Sequence, residues 1–299
     1  MALYRHRNQA LCLDSALECA FGSPAAFSEV LRARLADDAV TGVALGRPLL
    51  FGQMRHALGQ PAARLAFLLP KSGLQMPALT ALLDWLARLA GARGALRVVA
   101  EVDERSAAFE GLRRTDFVVY AWQRVWSFAP SNQRSTTPGL WQPMRSGDEV
   151  AVRSLCQLLL PPLAQAAETF LLRPGQGLVY RRGGDLLAYV NMVSGGRGTY
   201  LLPVIHPDVE DVEALLCDLL WGQGRGRARP IYLTMRSYQA WLEPILSGLQ
   251  GGVAPRQALM VKYLAQLQRA GVLAPQAVLE HPWAPNLEAR SSTKNGTIG

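Results

Sequence analysis

Lysine is almost missing from this chain. Of its 31 basic residues only Lys71, Lys262 and Lys294 are lysines, and the arginines are scattered, so the formal charge of +8 is no argument for a nucleic-acid surface. Their one local concentration is Gly222 to Arg229, GQGRGRAR, where Arg225, Arg227 and Arg229 read as a solvated loop or as a contact for phosphate or RNA. No apolar run reaches the ~20 residues needed to span a bilayer, and Asp14 and Glu18 interrupt what would have to be the apolar core of a secretory signal. The four cysteines, Cys12, Cys19, Cys156 and Cys217, form no C-x-x-C pair and have no histidine at metal spacing. They read as reduced core thiols of a cytoplasmic protein. His206 and Asp208 lack a third ligand nearby, so no metal is expected.

What the chain does have is apolar mass: 49% of its 299 residues are hydrophobic, enough for two domains each with its own core. Leu11, Leu13, Leu17 and Phe21 recur near helical spacing, and Ser23 with Pro24 makes an N-cap and first-turn pair for a second helix to about Ala36. Three strands follow, Val40 to Leu45, Pro48 to Ala57 and Ala62 to Leu69, an antiparallel meander. Leu79, Leu82, Leu83, Leu86 and Leu89 paint one face of a helix ended by Gly91 and Gly94. Then comes the most informative stretch, Leu96 to Trp126, LRVVAEVDERSAAFEGLRRTDFVVYAWQRVW, a strand, a helix and an aromatic strand almost without linkers.

The same order returns. After a Ser-, Thr- and Pro-rich linker, Leu140 to Met144 reads as a strand, and Asp148 caps a helix broken at Pro161-Pro162. A meander (Gly177 to Arg182, Asp185 to Val193, Thr199 to Ile205) leads to a helix from Asp211 to Trp221. Between Arg229 and Tyr263, RPIYLTMRSYQAWLEPILSGLQGGVAPRQALMVKY repeats strand, helix, strand, with a glutamine inside each last strand, Gln123 and Gln257. The division is 1–127, a linker 128–139, 140–272, and a tail 273–299 that reads as partly disordered.

This order of elements resembles the GNAT superfamily of acyl-CoA N-acyltransferases, in a tandem arrangement similar to mycothiol synthase-like proteins. The resemblance implies a mixed α/β (α+β) sheet in each of two GNAT-like domains, with acetyl-CoA or another acyl-CoA as co-substrate and a small-molecule or peptide amine as acceptor. In the family the cofactor's pantetheine arm lies where the fourth and fifth strands splay apart. Its pyrophosphate rests on backbone N–H groups at the start of the following helix, in a loop patterned Arg or Gln, x, x, Gly, x, Gly or Ala.

Carried onto the first copy, this puts the arm against the backbone of Phe67, Leu68 and Leu69. The loop PKSGLQMPALTA then places Gly73 or Leu74 at the basic position, Met76 or Pro77 at the first glycine and Ala78 at the second small residue, with Lys71 supplying positive charge nearby. In the second copy Glu210 and Glu213 fall at the basic position and first glycine, where carboxylates repel a pyrophosphate.

The tyrosine that protonates the departing thiolate in many of these enzymes corresponds to Leu112 and Pro244 here, leaving Tyr120 and Tyr238 as the nearest phenols. Glu101, Asp103 and Glu104 are candidates for the base. Asp103 and Glu104 also fit the cap and first turn of the next helix, which leaves Glu101 as the candidate without that second explanation. Two functions follow: an N-acyltransferase whose amino-terminal copy holds acyl-CoA, or a non-catalytic tandem scaffold that binds a partner.

Overall fold

The computed structural model describes residues 9–23, 39–43, 50–57, 59–75, 77–131, 135–168, 177–222 and 228–264, all within one compact unit. The expected helix from Pro24 to Ala36, Met76 of the phosphate loop, Arg225 and Arg227 of the arginine-glycine loop, and the tail lie outside the described residues.

The first copy runs β2 (Ala39–Val43), β3 (Phe51–Arg55), β4 (Ala62–Leu69), α2 (Ala78–Ala92), β5 (Arg97–Asp103), α3 (Ala107–Arg113) and β6 (Val118–Phe128). It is preceded by β1 (Leu11–Cys12) and α1 (Ser15–Phe21). The second runs β7 (Gln142–Pro143), α4 (Glu149–Leu159), α5 (Pro162–Ala167), β8 (Gly177–Arg182), β9 (Asp185–Ser194), β10 (Thr199–Ile205), α6 (Val212–Cys217), β11 (Ile231–Arg236), α7 (Glu243–Gly248), β12 (Gly252–Val253) and β13 (Gln257–Tyr263).

Local sequence accounts for most boundaries. Leu79, Leu82, Leu83 and Leu86 bury one face of α2 against the first sheet half. Asp14 N-caps α1 by accepting from the Leu17 N–H at 3.2 Å. Helix α3 starts after Ser106, and Asp103 accepts from the Arg105 N–H at 2.8 Å in the turn before it. The helical periodicity from Leu11 is misleading: Leu11–Cys12 is extended and only Ser15–Phe21 is helical. The helix expected from Asp211 to Trp221 is α for one stretch only, and continues from Asp218 to Gly222 as π-helix.

The last strands do something the element order does not announce. One sheet of 13 strands runs β2-β3-β4-β5-β13-β6-β11-β10-β9-β8-β7, with β1 added to β4 and β12 to β6. β13, the end of the second copy, stands between β5 and β6 of the first. β6 in turn pairs with β11 of the second. From either outer edge the order is the same: a meander, the strand after the crossover helix, the other copy's last strand, then the copy's own. The two copies have exchanged their last strands, and the sheet has no seam.

Helix α1 adds a second tie, because Cys19 packs with Tyr189, Tyr200 and Leu202 of the second copy while Leu17 packs with Phe51 and Phe67 of the first. The Ala20 carbonyl accepts from the Arg197 N–H at 2.8 Å. Either half alone would lose the strand that covers its crossover strand and would bare a long apolar edge. Separately expressed fragments 1–135 and 136–299 are therefore expected to be unfolded or aggregated, and co-expression to restore one cooperative unit by circular dichroism and size exclusion. Two fragments that each fold alone as stable monomers would contradict the exchange.

Candidate functional site

In both copies the crossover strand runs parallel to its neighbour and then leaves it. β4 and β5 are paired only from Ala62–Arg97 to Arg64–Val99, and β10 and β11 only from Thr199–Ile231 to Leu201–Leu233. Beyond those points the strands splay, as the family resemblance implies. The contents of the two gaps differ.

In the first copy the gap is filled by the chain itself. Leu11 and Cys12 pair with Leu68 and Phe67. The Leu13 N–H donates to the Ala66 carbonyl at 2.8 Å, and the Glu101 N–H donates to the Leu13 carbonyl at 3.0 Å. Leu13 is completely buried. This corrects the expectation that Phe67, Leu68 and Leu69 offer open backbone to a ligand: Phe67 and Leu68 pair with β1 on that side, and all three pair with β3 on the other. The reason is steric and simple, since one extended strand saturates the gap.

The same displacement changes the loop beyond it. The Gly73 N–H donates to the Pro70 carbonyl at 2.9 Å, and a Cβ on Gly73 would meet the Leu50 side chain, so this glycine serves close packing and does not present its amide. Lys71 is exposed and Ala78 opens α2. Helix α2 has Pro77 at its N-cap and no side-chain cap. Its start borders a cleft of about 680 Å³ formed by Leu74, Gln75, Pro77 and Thr80 on one side and Glu104 to Ala107, Glu110 and Arg114 on the other. That cleft lies immediately beyond the carboxyl ends of β4 and β5.

The start of the equivalent helix in the second copy is lined differently. Asp211 caps α6 by accepting from the Ala214 N–H at 2.9 Å, and Glu210 pairs with Arg182 at 2.7 Å, so the helix end is already supplied with carboxylates. Gln239 Nε2 donates to the Ile205 carbonyl at 2.9 Å, tying the end of β10.

Glu101 and Tyr120 come together, although not as acid and base facing a ligand. They belong to one buried network under the exchanged strands. Glu101 Oε1 lies 2.6 Å from Arg64 Nη1 and 3.6 Å from Arg236 Nη2, and Oε2 accepts from the Ser15 N–H at 2.9 Å and from Gln123 Nε2 at 3.1 Å. The Arg236 guanidinium forks onto Glu168, with Nε and Nη2 each 3.0 Å from a carboxylate oxygen, and also donates to Gln123 Oε1. Gln123 Nε2 donates to Gln257 Oε1 at 2.5 Å, directly across the β6–β13 pair. The Tyr120 hydroxyl reaches Glu168 at 3.4 Å.

Burial would raise the Glu101 pKa, but Arg64, Arg236 and the two Ser15 hydrogen bonds outweigh it and hold the carboxyl at about 2. A general base near neutral pH needs the opposite shift and a free lone pair, so Glu101 is corrected from base to structural anion. Burial, followed by the charge of Glu168, pushes the Tyr120 phenol well above its ordinary value. At the place equivalent to Glu101, two residues before the one opposite the partner glutamine, the second copy has the buried Thr234.

Sequence reasoning missed Arg64, Arg236, Glu168 and Ser15. Its one available signal was the glutamine inside each last strand. The four cysteines are free, and burial first of all pushes the thiols of Cys19 and Cys156 up to about 12. Among the described residues no three His, Cys, Asp or Glu side chains converge, and no helix is long and apolar enough to cross a membrane.

Because Glu101 is ionised below its ordinary value of 4.5, its stabilisation is present above that value and is lost as pH falls toward about 2. Replacing Glu101 by Gln takes one buried carboxylate from Arg64 and Arg236, leaving them Asp14 and Glu168, and should cost about 3 kcal/mol, the low end for breaking a buried pair. It should also flatten the acid limb of stability between those pH values in denaturant titrations. A variant as stable as wild type would remove the structural assignment.

No protein-family model and no curated protein matches the sequence. Solved structures do. A GCN5-related N-acetyltransferase from Sphaerobacter thermophilus superposes with a TM-score of 0.56 at 15% identity, over 86% of this chain and 96% of that one. One from Kribbella flavida gives 0.47 at 13%, over 80% and 95%. A tandem GNAT protein from the clavulanic acid biosynthesis pathway gives 0.43 at 15%, over 77% and 84%. The first of these, together with the strand order above, carries the conclusion: the chain has the fold of the GCN5-related N-acetyltransferases, built twice in one sheet.

Proposed function

We propose that this protein is an acyl-CoA-dependent N-acyltransferase of the tandem GNAT type, acting in the cytoplasm on a small-molecule or peptide amine, with acyl-CoA bound by the first copy. Residues 1–127 and 140–272 are taken as the two domains. The observation that carries the reading is the width and lining of the gap between β4 and β5. It accepts one extended amide chain, with an acceptor at the Ala66 carbonyl and a donor at the Glu101 N–H on facing walls. A pantetheine arm is such a chain, with two amides and an unbranched β-alanyl-cysteamine end beyond its dimethyl-bearing pantoyl part.

The gap runs into the cleft at the start of α2, where uncapped helix amides and the guanidinium groups of Arg105 and Arg114 favour a pyrophosphate, the Glu104 and Glu110 carboxylates that also line it being paired with Arg256 and Arg113. The capped, acid-ringed start of α6 favours none, which directs the reading to the first copy. Chemistry at this site would rest on holding amine and thioester together. The scaffold reading has its own support in the saturated Glu101 and the occupied gap, and in it the cleft serves recognition alone.

Acetyl-CoA binding decides between them. A ligand that binds only the native state at 100 times its dissociation constant stabilises it by about 2.7 kcal/mol, a rise of several degrees in melting temperature. Arg105→Glu with Arg114→Glu should abolish that rise, while Arg182→Glu, at the end of β8 where the side chain pairs with Glu210 before α6, leaves it. No rise at millimolar acetyl-CoA would leave only the scaffold.

A further inference from the structure

We propose that residues Ala10 to Asp14 are an internal occupant of the acyl-CoA slot, a strand that withdraws when an acyl-pantetheine arm enters; this rests on the acyl-CoA reading above. Leu11 opposite Leu68 and Cys12 opposite Phe67 give the segment an antiparallel course to β4. It therefore enters at the carboxyl end of β4, the end that opens into the cleft, and runs inward along the path an arm would take. Its main chain makes the two contacts the arm needs, one to each wall at Ala66 and Glu101. The strand and the arm exclude one another.

The segment is held by less than any neighbouring strand. β1 is two residues long and Leu13 meets β5 through a single hydrogen bond, whereas β13 is matched to β5 along seven residues. A short strand that is paired with β4 but bonded to the β5 main chain at one point only can part from β5 at the loss of that one bond, although the burial of Ala10 and Leu13 opposes the opening. The clamp that holds it is ionic: the Asp14 carboxylate lies 3.5 Å from Arg55 and 3.7 Å from Arg64. Withdrawal also takes the Ser15 N–H away from Glu101, so opening the slot removes one of the hydrogen bonds that saturate that carboxylate. The slot and the network beneath it are thus coupled through residues 13 to 15. A slot open only part of the time lowers apparent affinity by the open fraction, so loosening the strand should tighten binding.

The experiment is hydrogen exchange on the full chain with and without saturating acetyl-CoA, beside calorimetry on wild type and Leu13→Ala. The Leu13 amide should exchange at least tenfold faster with acetyl-CoA present, and Leu13→Ala should bind acetyl-CoA at least tenfold more tightly. If acetyl-CoA binds while the Leu13 amide exchanges at its ligand-free rate or slower, the internal occupant is refuted and the acyl-CoA reading stands at another site. If neither protein binds acetyl-CoA, the acyl-CoA reading fails and takes this inference with it. Should Leu13→Ala not fold, exchange in the wild type decides alone.

Discussion

Each copy of this fold lacks one strand that only the other copy supplies. β13 closes the sheet beside β5, β6 closes it beside β11, and the two lie against each other with Gln123 facing Gln257. A buried polar network is arranged around that crossing. Arg236 comes from β11, Glu101 from β5, Arg64 from β4, Ser15 from the start of α1 and Glu168 from the end of α5, so the network draws on both copies. Buried ions of this kind are retained only when each is paired, and removal of one strands its neighbours. The network therefore gives the exchange a register: a slip of one residue would turn Gln123 and Gln257 to the opposite face.

The symmetry of the strands does not extend to the sites. The two copies share the splay after three paired residues, but the first holds an extended chain segment there and leaves its helix end uncapped. The second caps its helix with Asp211 and ties the end of β10 with Gln239. Glu101 in one is Thr234 in the other. The same strand order thus carries different side chains at the two helix ends. Function resides in such sites, while the fold supplies only their placement.

The repeat was legible because its signals are local: leucine spacing for α2, a run for β4 (Ala62–Leu69) that is apolar except at Arg64, and the strand, helix, strand order of both copies. The exchange was not legible, since a last strand has the same sequence character whichever neighbour it pairs with. The filling of the first slot was hidden by Leu11, Leu13 and Leu17. That spacing fits a helix, and tertiary contacts with Ala66, Phe67 and Leu68 overrode it. Glu101 was legible as an unusual residue within an apolar strand. Its meaning depended on Arg64 and Arg236, which are remote in sequence and become neighbours only through the sheet order. Gln123 and Gln257 were visible as markers of a repeat, and turned out to touch.

Native-state hydrogen exchange across a denaturant series tests the shared centre most directly. The account predicts that amides of β5 and β13 and those of β6 and β11 open together, with one free energy and one denaturant dependence, because no subset of these strands is complete without the rest. Two separate opening reactions, one for residues before the linker and another for residues after it, would contradict it.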